Sequence, residues 1–361
     1  MKKSTHKVVV LGAGPAGLIA AMELSKTFDT TLVVHGSPSK GACVRVDSVP
    51  ASLLALLLEF GVHPKEIGVD SLHRSQIRAW VSSTAQESPI PASAQVERPL
   101  LEAALLNRLT ASTDVKMLPY SRRLFEPLIS EAQHGRIFLL DATGRRSISS
   151  TNLVHTARPW VARSFVVSRR ISSADAGMRI ASLPHGYVYR MGSSQHLVLA
   201  AVGRGTLVNG SPQQIERYIV DNGADWILKD LPPFSEMVVG NASTASVQWS
   251  TAGPGCRIGD AAFARDSIAG QGVASTVTDA MCAAASLRDY GDFSLLHRRQ
   301  AEQRNAHLRA LADAIRSSRF ASEERWREYS NFLKRNAQSP ESDARVALRH
   351  GRLRVQQIAA H

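Results

Sequence analysis

A chain of 361 residues exceeds the about 100 to 200 residues of one typical domain, so we expect two lobes or one large composite domain. Hydrophobic residues make up 44% and charged residues 20%, a balance that excludes a disordered or fibrous protein. The formal net charge is +12, with many arginines between residues 298 and 334, but glutamates are interleaved with them and no nucleic-acid motif accompanies them. We therefore expect a solvated basic surface and no nucleic-acid partner.

The cysteines and the hydropathy pattern bear on redox state and location. Cys43, Cys256 and Cys282 have no C-x-x-C spacing, so we expect reduced thiols and no bound metal. Residues 8–22 form an apolar run behind a basic start, but the glycines within it favour a nucleotide-binding turn over a secretory signal. No other apolar run reaches the roughly 18 to 20 residues that cross a bilayer. The sequence thus predicts a cytoplasmic protein without membrane association.

The first predicted elements form a βαβ unit. Residues 7–35 read as an apolar strand, a glycine-rich turn, a helix and a second strand. Residues 51–60 predict an apolar helix that ends at Gly61, and residues 99–109 predict another with Pro99 near its first turn. Both helices are expected to bury one face.

The later segments predict further strands and a helical C-terminus. We expect β-type segments between residues 115 and 140, and a strand at 151–156 that returns to the first sheet. A second lobe built on a sheet follows, with predicted strands at 164–167, 186–190, 196–203 and 246–250. A glycine-rich turn and a helix of small residues come next, and residues 286–335 predict basic helices.

The first motif with chemical meaning is the glycine turn (residues 12–17), which directly follows an apolar strand and opens a helix. Gly12 permits the tight turn, Gly14 lets the backbone approach a pyrophosphate, and Gly17 lets helix and strand pack closely. Strand, turn and helix all stand where dinucleotide binding requires them. The residues expected at the pyrophosphate are Gly12, Ala13, Gly14, Pro15, Ala16 and Gly17.

One position departs from the dinucleotide pattern. The second strand of such a unit ends on an acidic residue that holds the adenosine ribose, whereas here His35 follows the strand. A neutral histidine can hydrogen-bond a ribose hydroxyl, but more weakly than a carboxylate does. The sequence therefore predicts a weakly held cofactor.

A second motif lies about 250 residues downstream of the first. Gly259-Asp260-Ala-Ala is followed by Asp266 and a Gly-Gln-Gly run before a helix of small residues, so that an aspartate can hold a ribityl or ribose hydroxyl and backbone N–H groups can face a flavin. This spacing resembles the C-terminal flavin motif of the p-hydroxybenzoate hydroxylase and tryptophan halogenase superfamily. The resemblance implies FAD rather than NAD, with contacts from Asp260, Gly270, Gly272 and Val273.

Two arginines between the motifs extend the resemblance. Arg45, Asp47 and Pro50 are similar to the Arg-x-Gly-Glu-Ser-x-Pro segment of the halogenase-like branch, with Asp47 in place of its glutamate. Arg98, ahead of a helix, resembles the arginine that approaches the flavin phosphates in this superfamily. An ordinary surface salt bridge is the alternative for each arginine. The resemblance implies that Arg45 and Arg98 help to bind FAD.

Other positions separate this chain from two branches of the superfamily. The usual Asp-x-Thr-Gly-Arg is expected after the returning strand, where the sequence reads His155-Thr-Ala-Arg158, and this weakens any transfer from the NADPH-using aromatic hydroxylases. Residues 71–80 contain no lysine to carry an activated halogen, and the chain has no Trp-x-Trp segment. Halogenation is therefore not the expected activity.

The remaining resemblance is to flavoprotein maturases of quinone-cofactor lysine and glycine oxidases, whose cofactor is cysteine tryptophylquinone. It rests on residues 45–64, 178–203 and 257–273, and more loosely on residues 323–326. It implies a monooxygenase-like enzyme that hydroxylates a tryptophan in a precursor oxidase, with an external reductant for its flavin. Weak candidates for the substrate side are His73, Arg74, Tyr187, Tyr189 and Arg190.

The predicted fold class is α/β, with a Rossmann-like FAD-binding domain, an inserted β-sheet substrate lobe and a C-terminal helical region. We assign residues 1–163 and 251–290 to the first, 164–250 to the second and 291–361 to the third. Two other functions stay open: an FAD-dependent hydroxylase or dehydrogenase of a small aromatic or lipid, and a non-catalytic binding or chaperone module with a vestigial flavin site.

Overall fold

The structure is a computed structural model that describes residues 4–34, 44–149, 153–155, 160–168, 176–232, 238–242, 244–247, 255–269, 272–289 and 293–337. Its strands are β1 (Ser4–Leu11), β2 (Phe28–Val34), β3 (Val46–Pro50), β4 (His73–Ala79), β5 (Gln86–Glu97), β6 (Lys116–Pro119), β7 (Ile137–Asp141), β8 (Leu153–His155), β9 (Val161–Ser168), β10 (Arg179–Leu183), β11 (Gly186–Gly192), β12 (His196–Gly203), β13 (Val238–Asn241), β14 (Ala245–Val247), β15 (Gly255–Arg257) and β16 (Phe263–Ala264). Its helices are α1 (Pro15–Ser25), α2 (Ala51–Glu59), α3 (Arg98–Ser112), α4 (Arg122–Gln133), α5 (Thr206–Asn209), α6 (Pro212–Asp221), α7 (Gly272–Arg288), α8 (Ser294–Arg316) and α9 (Glu324–Ala337).

A five-stranded parallel sheet carries the N-terminal motif, with the strand order β15-β7-β1-β2-β6. Numbered along the chain within this sheet, the order is 5-4-1-2-3, which is the doubly wound arrangement of dinucleotide-binding folds. In such sheets ligands bind at the carboxyl ends of the strands, next to the point where the order reverses. That point lies here between β1 and β7.

Helices cover both faces of the parallel sheet. Helices α1, α2, α3 and α7 share one hydrophobic core with Val8, Val10 and Leu140 of the sheet. Val9 and Leu139 point to the other face, where the side chains of α4 pack. Burial on both faces explains why β1 reads as a continuous apolar run.

Helix α4 contradicts the β-type segments that we expected throughout residues 115–140, although β6 and β7 confirm strands at both ends of that stretch. Ser121 caps the helix because its hydroxyl accepts a hydrogen bond from the N–H of Leu124 at 3.2 Å. Leu124, Leu128 and Ala132 then recur at four-residue spacing and pack on the sheet. The apolar side chains of this segment recur with the period of a helix and not with that of a strand, which explains why it forms a helix.

An eight-stranded sheet forms the second layer, with the order β13-β9-β12-β11-β10-β4-β5-β3. The predicted strands at 164–167, 186–190 and 196–203 are confirmed within β9, β11 and β12. Three further strands of the sheet, β3, β4 and β5, come from the chain ahead of residue 164. The sheet is therefore assembled from two separated chain segments, and the division of the chain into lobes stays a prediction.

The two faces of this larger sheet meet different helices. Tyr187, Met191 and Val198 lie in one hydrophobic cluster with side chains of α8 and α9. Val188 and Leu199 lie in another cluster with side chains of α5 and α6. Alternating residues of β11 and β12 therefore serve opposite faces, as expected for a sheet covered on both sides.

The strand expected at 151–156 forms as β8, but its predicted partner is wrong. It pairs antiparallel with β14, which also pairs with β16, in a separate three-stranded sheet. The place beside β7 in the parallel sheet is taken by β15 instead. Because β15 leads directly into the Gly259–Ala261 turn, this exchange brings the second motif to the parallel sheet.

The helical C-terminus is confirmed over residues 294–337, where α8 and α9 pack against each other. The residues beyond 337 lie outside the described part of the chain. Within the part that is described, no helix combines the length and the apolar character needed to cross a bilayer.

Candidate cofactor and substrate site

The glycine turn has the geometry that a dinucleotide requires. Gly12 adopts φ +100°, and a Cβ atom there would stand 2.5 Å from the carbonyl oxygen of Ala142. A Cβ on Gly17 would stand 1.8 Å from the carbonyl oxygen of Gly12. Gly14, by contrast, is extended at φ −75°, and a Cβ there would meet nothing within 4 Å. Gly12 and Gly17 thus serve packing, whereas Gly14 borders open space at the start of α1.

The start of α1 has no side-chain cap, although the helix itself is wholly buried. The N–H groups of its first turn therefore have no hydroxyl or carboxylate acceptor from their own cap residue. An anionic group placed beside Gly14 would accept from such N–H groups and meet the positive end of the helix dipole. These residues fit a pyrophosphate, and a side chain on Gly14 would fill its place.

A loop after β7 packs on the glycine turn and corrects one sequence interpretation. Residues 141–145 read Asp-Ala-Thr-Gly-Arg, so the Asp-x-Thr-Gly-Arg pattern is present, directly after the strand beside β1. The sequence analysis places this pattern after the strand that ends at His155, but that strand lies in the small antiparallel sheet. The segment after His155 lies outside the described residues. The expected departure from the superfamily pattern is therefore wrong.

Asp141 holds this loop in shape. Its buried carboxylate accepts hydrogen bonds from the backbone N–H groups of Thr143 and Ser149, each at 2.9 Å. It also accepts from both of their hydroxyl groups, each at 2.6 Å. With four donors the carboxylate is satisfied within the fold, so we assign Asp141 a structural role.

The second motif lies against the first. Gly259 adopts φ +60°, and a Cβ there would approach the Cβ of Ala16 to 3.4 Å. Its N–H donates to the buried carboxylate of Asp279 on α7 at 3.1 Å. Asp260 follows in the same turn, half-exposed, with its carboxylate 3.7 Å from the Nε of Arg145. Arg145 thereby links the loop after β7 to the turn that carries Asp260.

Arg98 and Asp47 form an ion pair at 2.8 Å between the start of α3 and β3. The backbone N–H of Arg98 donates to the carbonyl oxygen of Arg45 at 2.8 Å, which ties these segments together. Burial alone would lower the pKa of Arg98, but Asp47, Glu102 and Asp260 together raise it above its ordinary value. Arg98 is therefore a permanent cation within electrostatic reach of Asp260.

A buried carboxylate anchors the segment between Asp260 and α7. Asp266 accepts hydrogen bonds from the hydroxyl of Tyr187 at 2.5 Å, from that of Tyr329 at 3.0 Å and from the N–H of Ile268 at 3.0 Å. Burial raises the pKa of Asp266. Burial and the neighbouring Asp266 also raise the pKa of Tyr187 and Tyr329, which keeps both phenols protonated at neutral pH. The cluster joins the large sheet, helix α9 and the segment between Asp260 and α7.

His307 on α8 completes this cluster. Its Nε2 accepts a hydrogen bond from the backbone N–H of Asp266 at 3.4 Å, and its ring stands edge-on to Phe263 with centroids 5.4 Å apart. Burial, with a smaller effect of Arg265, lowers its pKa from 6.5 to about 4. His307 is therefore neutral at physiological pH.

Beside these groups lies a cleft of about 640 Å³, bordered by β4, β10, α7 and α8. The residues that it shares with the features above are Ile268 and His307, and the start of α7 forms part of its wall. A volume of this size is typical of small-molecule and cofactor sites. The cleft thus opens next to the helix start that carries the second motif.

The structure brings most of the predicted cofactor residues together at one edge of the parallel sheet. Gly272 and Val273 begin α7, while His35 and Gly270 lie outside the described residues. Arg45 is exposed, yet close enough to influence the pKa values of Glu102 and Tyr189.

The weak candidates for the substrate side divide into two groups. Tyr187 and Tyr189 lie near Asp266, and burial raises the pKa of Tyr189 to about 12. Arg190 is fully buried and donates to the carbonyl oxygens of Ile227 and Lys229, away from this cluster. His73 and Arg74 begin β4, and neither lines the cleft.

Sequence reasoning missed three groups at this site. Of Asp266, Tyr329 and His307, the sequence marks only Asp266, as part of the spacing of the second motif. No short motif marks Tyr329 or His307, because each reaches Asp266 from a distant helix. The pattern at 141–145, however, was legible in the sequence.

The fold is shared with solved structures of FAD-dependent hydroxylases and halogenases. No family model matches the sequence. Among curated proteins, dihydrolipoyl dehydrogenase of Mycoplasma genitalium is 36% identical over 67 residues, a stretch that spans 18% of this chain and 15% of that protein. The predicted α/β fold with a Rossmann-like unit is confirmed.

Solved structures of this class superpose on most of the chain. The peptidyl tryptophan dihydroxylase QhpG, essential for tryptophylquinone cofactor biogenesis, has a TM-score of 0.68 at 16% identity over 90% of this chain and 79% of that chain. The myxobacterial chondrochloren halogenase CndH has a TM-score of 0.68 at 14% identity, over 94% and 91%. The 2,6-dihydroxypyridine-3-hydroxylase from Arthrobacter nicotinovorans has a TM-score of 0.63 at 16% identity, over 88% and 94%. At these identities the likeness concerns the fold.

Proposed function

We propose that this protein is an FAD-dependent oxidoreductase of the monooxygenase type, and that it hydroxylates a tryptophan in a precursor oxidase during cysteine tryptophylquinone biogenesis. The observation that carries the dinucleotide part of this proposal is the contrast among three glycines. Gly12 and Gly17 are required by packing, whereas Gly14 borders empty space at an uncapped helix start. A turn built in this way accommodates a pyrophosphate.

The residues that would hold FAD come from five segments. The backbone of the glycine turn would bind the pyrophosphate, Asp260 would accept hydrogen bonds from ribityl or ribose hydroxyls, and the start of α7 would present N–H groups to the ring. Arg98 and Arg45 would place positive charge near the phosphates. These assignments follow from position and charge, and they are the residues to test first.

Bound flavin would supply the oxygen chemistry, in which dioxygen, two electrons from an external reductant and two protons give one hydroxyl group on the substrate ring and one water. The protein would position the aromatic ring and keep bulk water away. We assign neither His307 nor Tyr187 as a proton acceptor in this reaction. The Nε2 of His307 already accepts a hydrogen bond from a backbone N–H, and the phenol of Tyr187 donates its own hydrogen bond to Asp266.

The protein substrate is the finer part of the proposal. It is supported by the sequence resemblance to maturases of quinone-cofactor oxidases and by the fold shared with QhpG. A net charge of +12 suits encounter with an acidic folded partner, since complementary charge raises association rates. A cytoplasmic reductant would supply the electrons that the flavin needs for this reaction.

Cofactor binding is tested by titrating the purified protein with FAD and recording the flavin absorbance bands. The wild type should shift these bands on binding, and Gly14→Glu should lose the shift while keeping its folded circular dichroism spectrum. Gly240→Glu is the matched control, because a Cβ at Gly240 also meets nothing within 4 Å, while Gly240 lies on β13, an edge strand of the other sheet. A Gly14→Glu protein that binds FAD like the wild type would refute the assigned pyrophosphate site.

Substrate class is tested with the flavin-loaded protein, a reductant and dioxygen. A precursor oxidase should gain the mass of oxygen on one tryptophan, and a precursor with that tryptophan changed to phenylalanine should not. No mass gain with any precursor, together with turnover of a free aromatic compound, would favour the alternative of a small-molecule hydroxylase. The cleft of about 640 Å³ is the observation that keeps this alternative in view.

A further inference from the structure

The charged side chains that line the cleft are all arginines. Arg78 projects from β4 and Arg265 from the segment ahead of α7, and none of the described aspartates or glutamates lines the cleft. The rest of its wall is aliphatic or neutral polar, apart from Trp80 and His307. The cleft is therefore cationic, and with His307 neutral its charge comes from the two arginines.

The side chain of Arg78 makes no ion pair or hydrogen bond with any other described residue, although its backbone is part of the sheet. Its guanidinium carbon lies over the ring of Trp80, 5.9 Å from the centroid, a cation–π contact that uses none of its N–H groups as hydrogen-bond donors to protein oxygens. Burial lowers the pKa of Arg78, which shows that its charge is partly desolvated. A partly desolvated cation without a counter-charge is unfavourable in free energy. An anion that binds beside it is therefore strongly stabilised.

Arg265 adds a second, more deeply buried cation. It is 5% exposed, and its Nη2 donates a hydrogen bond to the side-chain oxygen of Gln303 at 3.0 Å. Its Nη1 is buried and donates to none of the described residues. Asp279 and Asp260 act on it from longer range, which partly offsets its charge. Arg78 is thus the more available of the two.

We propose that the cleft binds a substrate that carries a carboxylate beside an aromatic ring, with the carboxylate held at Arg78 and the ring directed towards the start of α7. This inference rests on the proposed function, because it names the chemistry that the oxygenated substrate must present. The carboxylate belongs either to a free aromatic acid or to an acidic side chain next to the tryptophan of a protein. Both sources present the same group to the same arginine.

The test measures binding by calorimetry with two pairs of probes. Indole-3-acetate is compared with indole-3-acetamide, and the blocked dipeptide Asp-Trp with the blocked dipeptide Asn-Trp. Each pair differs only in a carboxylate against an amide of similar shape. The acid of at least one pair should bind about tenfold to a hundredfold more tightly, as expected for hydrogen bonds to a charged group. A preference in the peptide pair alone assigns the carboxylate to the protein, and one in the free pair alone assigns it to a free acid.

Two neutral variants and a charge-matched control test whether Arg78 causes the preference for the acid over the amide. Arg78→Met and Arg78→Gln should each abolish the preference for the acid, and having both keeps the test available if one fails to fold. Arg309→Met removes the same charge from an exposed position of α8, the helix that borders the cleft, and should retain the preference. The preference of the wild type should also weaken with rising salt.

Equal binding of acid and amide in both pairs would overturn the inference, as would an equal loss of preference in Arg309→Met. These outcomes are separate from the proposed function, because FAD binding is followed in the same samples by absorbance. A protein that binds FAD but does not prefer the acids would keep the flavin assignment and lose only the substrate class.

Discussion

The neutral histidine on α8 predicts how this protein responds to acid. His307 accepts a hydrogen bond from the N–H of Asp266, and a protonated ring could not accept it. Its pKa is lowered from 6.5 to about 4 in the folded state, so the unfolded chain takes up the proton first as the pH falls. This contribution to stability is fully present above pH 6.5 and is lost as the pH falls through about 4.

The size of the effect follows from that interval. At about 1.4 kcal/mol for each pH unit, the distance from 6.5 to about 4 corresponds to about 3 kcal/mol of unfolding free energy. The histidine is 6% exposed, so solvent screening reduces this value little. A loss of this size is a large part of the about 5 to 15 kcal/mol that stabilises a typical protein.

The assay is urea unfolding followed by circular dichroism at a series of pH values on both sides of that interval. His307→Gln keeps a side-chain oxygen that can accept from Asp266, so this variant should lose far less stability than the wild type between pH 6.5 and 4. His134→Gln is the control, because it changes an exposed histidine at the end of α4 and should leave the profile unchanged. Parallel pH profiles for the wild type and His307→Gln would refute the reasoning.

Two further predictions concern residues of the same site. Gly17→Ala should destabilise the fold by at least about 3 kcal/mol in thermal or urea unfolding, because its Cβ would stand 1.8 Å from a carbonyl oxygen, whereas Gly14→Ala should cost at most about 1 kcal/mol. Equal losses would contradict the different roles assigned to the two glycines. Asp266→Asn should show the opposite pH trend to His307→Gln: since burial raises the pKa of Asp266, the stability of the wild type relative to this variant should fall as the pH rises above about 4. A difference that stays constant from acid to neutral pH would show that the carboxylate does not titrate as described.

Local patterns carried much of the prediction. The βαβ unit, helices α2 and α3, several strands of the large sheet and the basic helices were legible, because short-range hydrophobic periodicity and glycine placement determine them. Helix α4 was missed although Ser121 and the apolar spacing of Leu124 and Leu128 marked it. The pattern at 141–145 was also present, but it was sought after the wrong strand.

The sequence by itself determined the dinucleotide-type turn, because the glycines, the strand and the helix that make it lie within a few residues of one another. Only the tertiary structure decided which strand stands beside β7, and so which segment reaches that turn. It alone brought Tyr187, Tyr329 and His307 to one buried carboxylate, and Arg78 and Arg265 to one cleft. Such groups lie up to 187 positions apart in the sequence, as Arg78 and Arg265 do. No local rule joins them, since their approach depends on how sheets and helices pack.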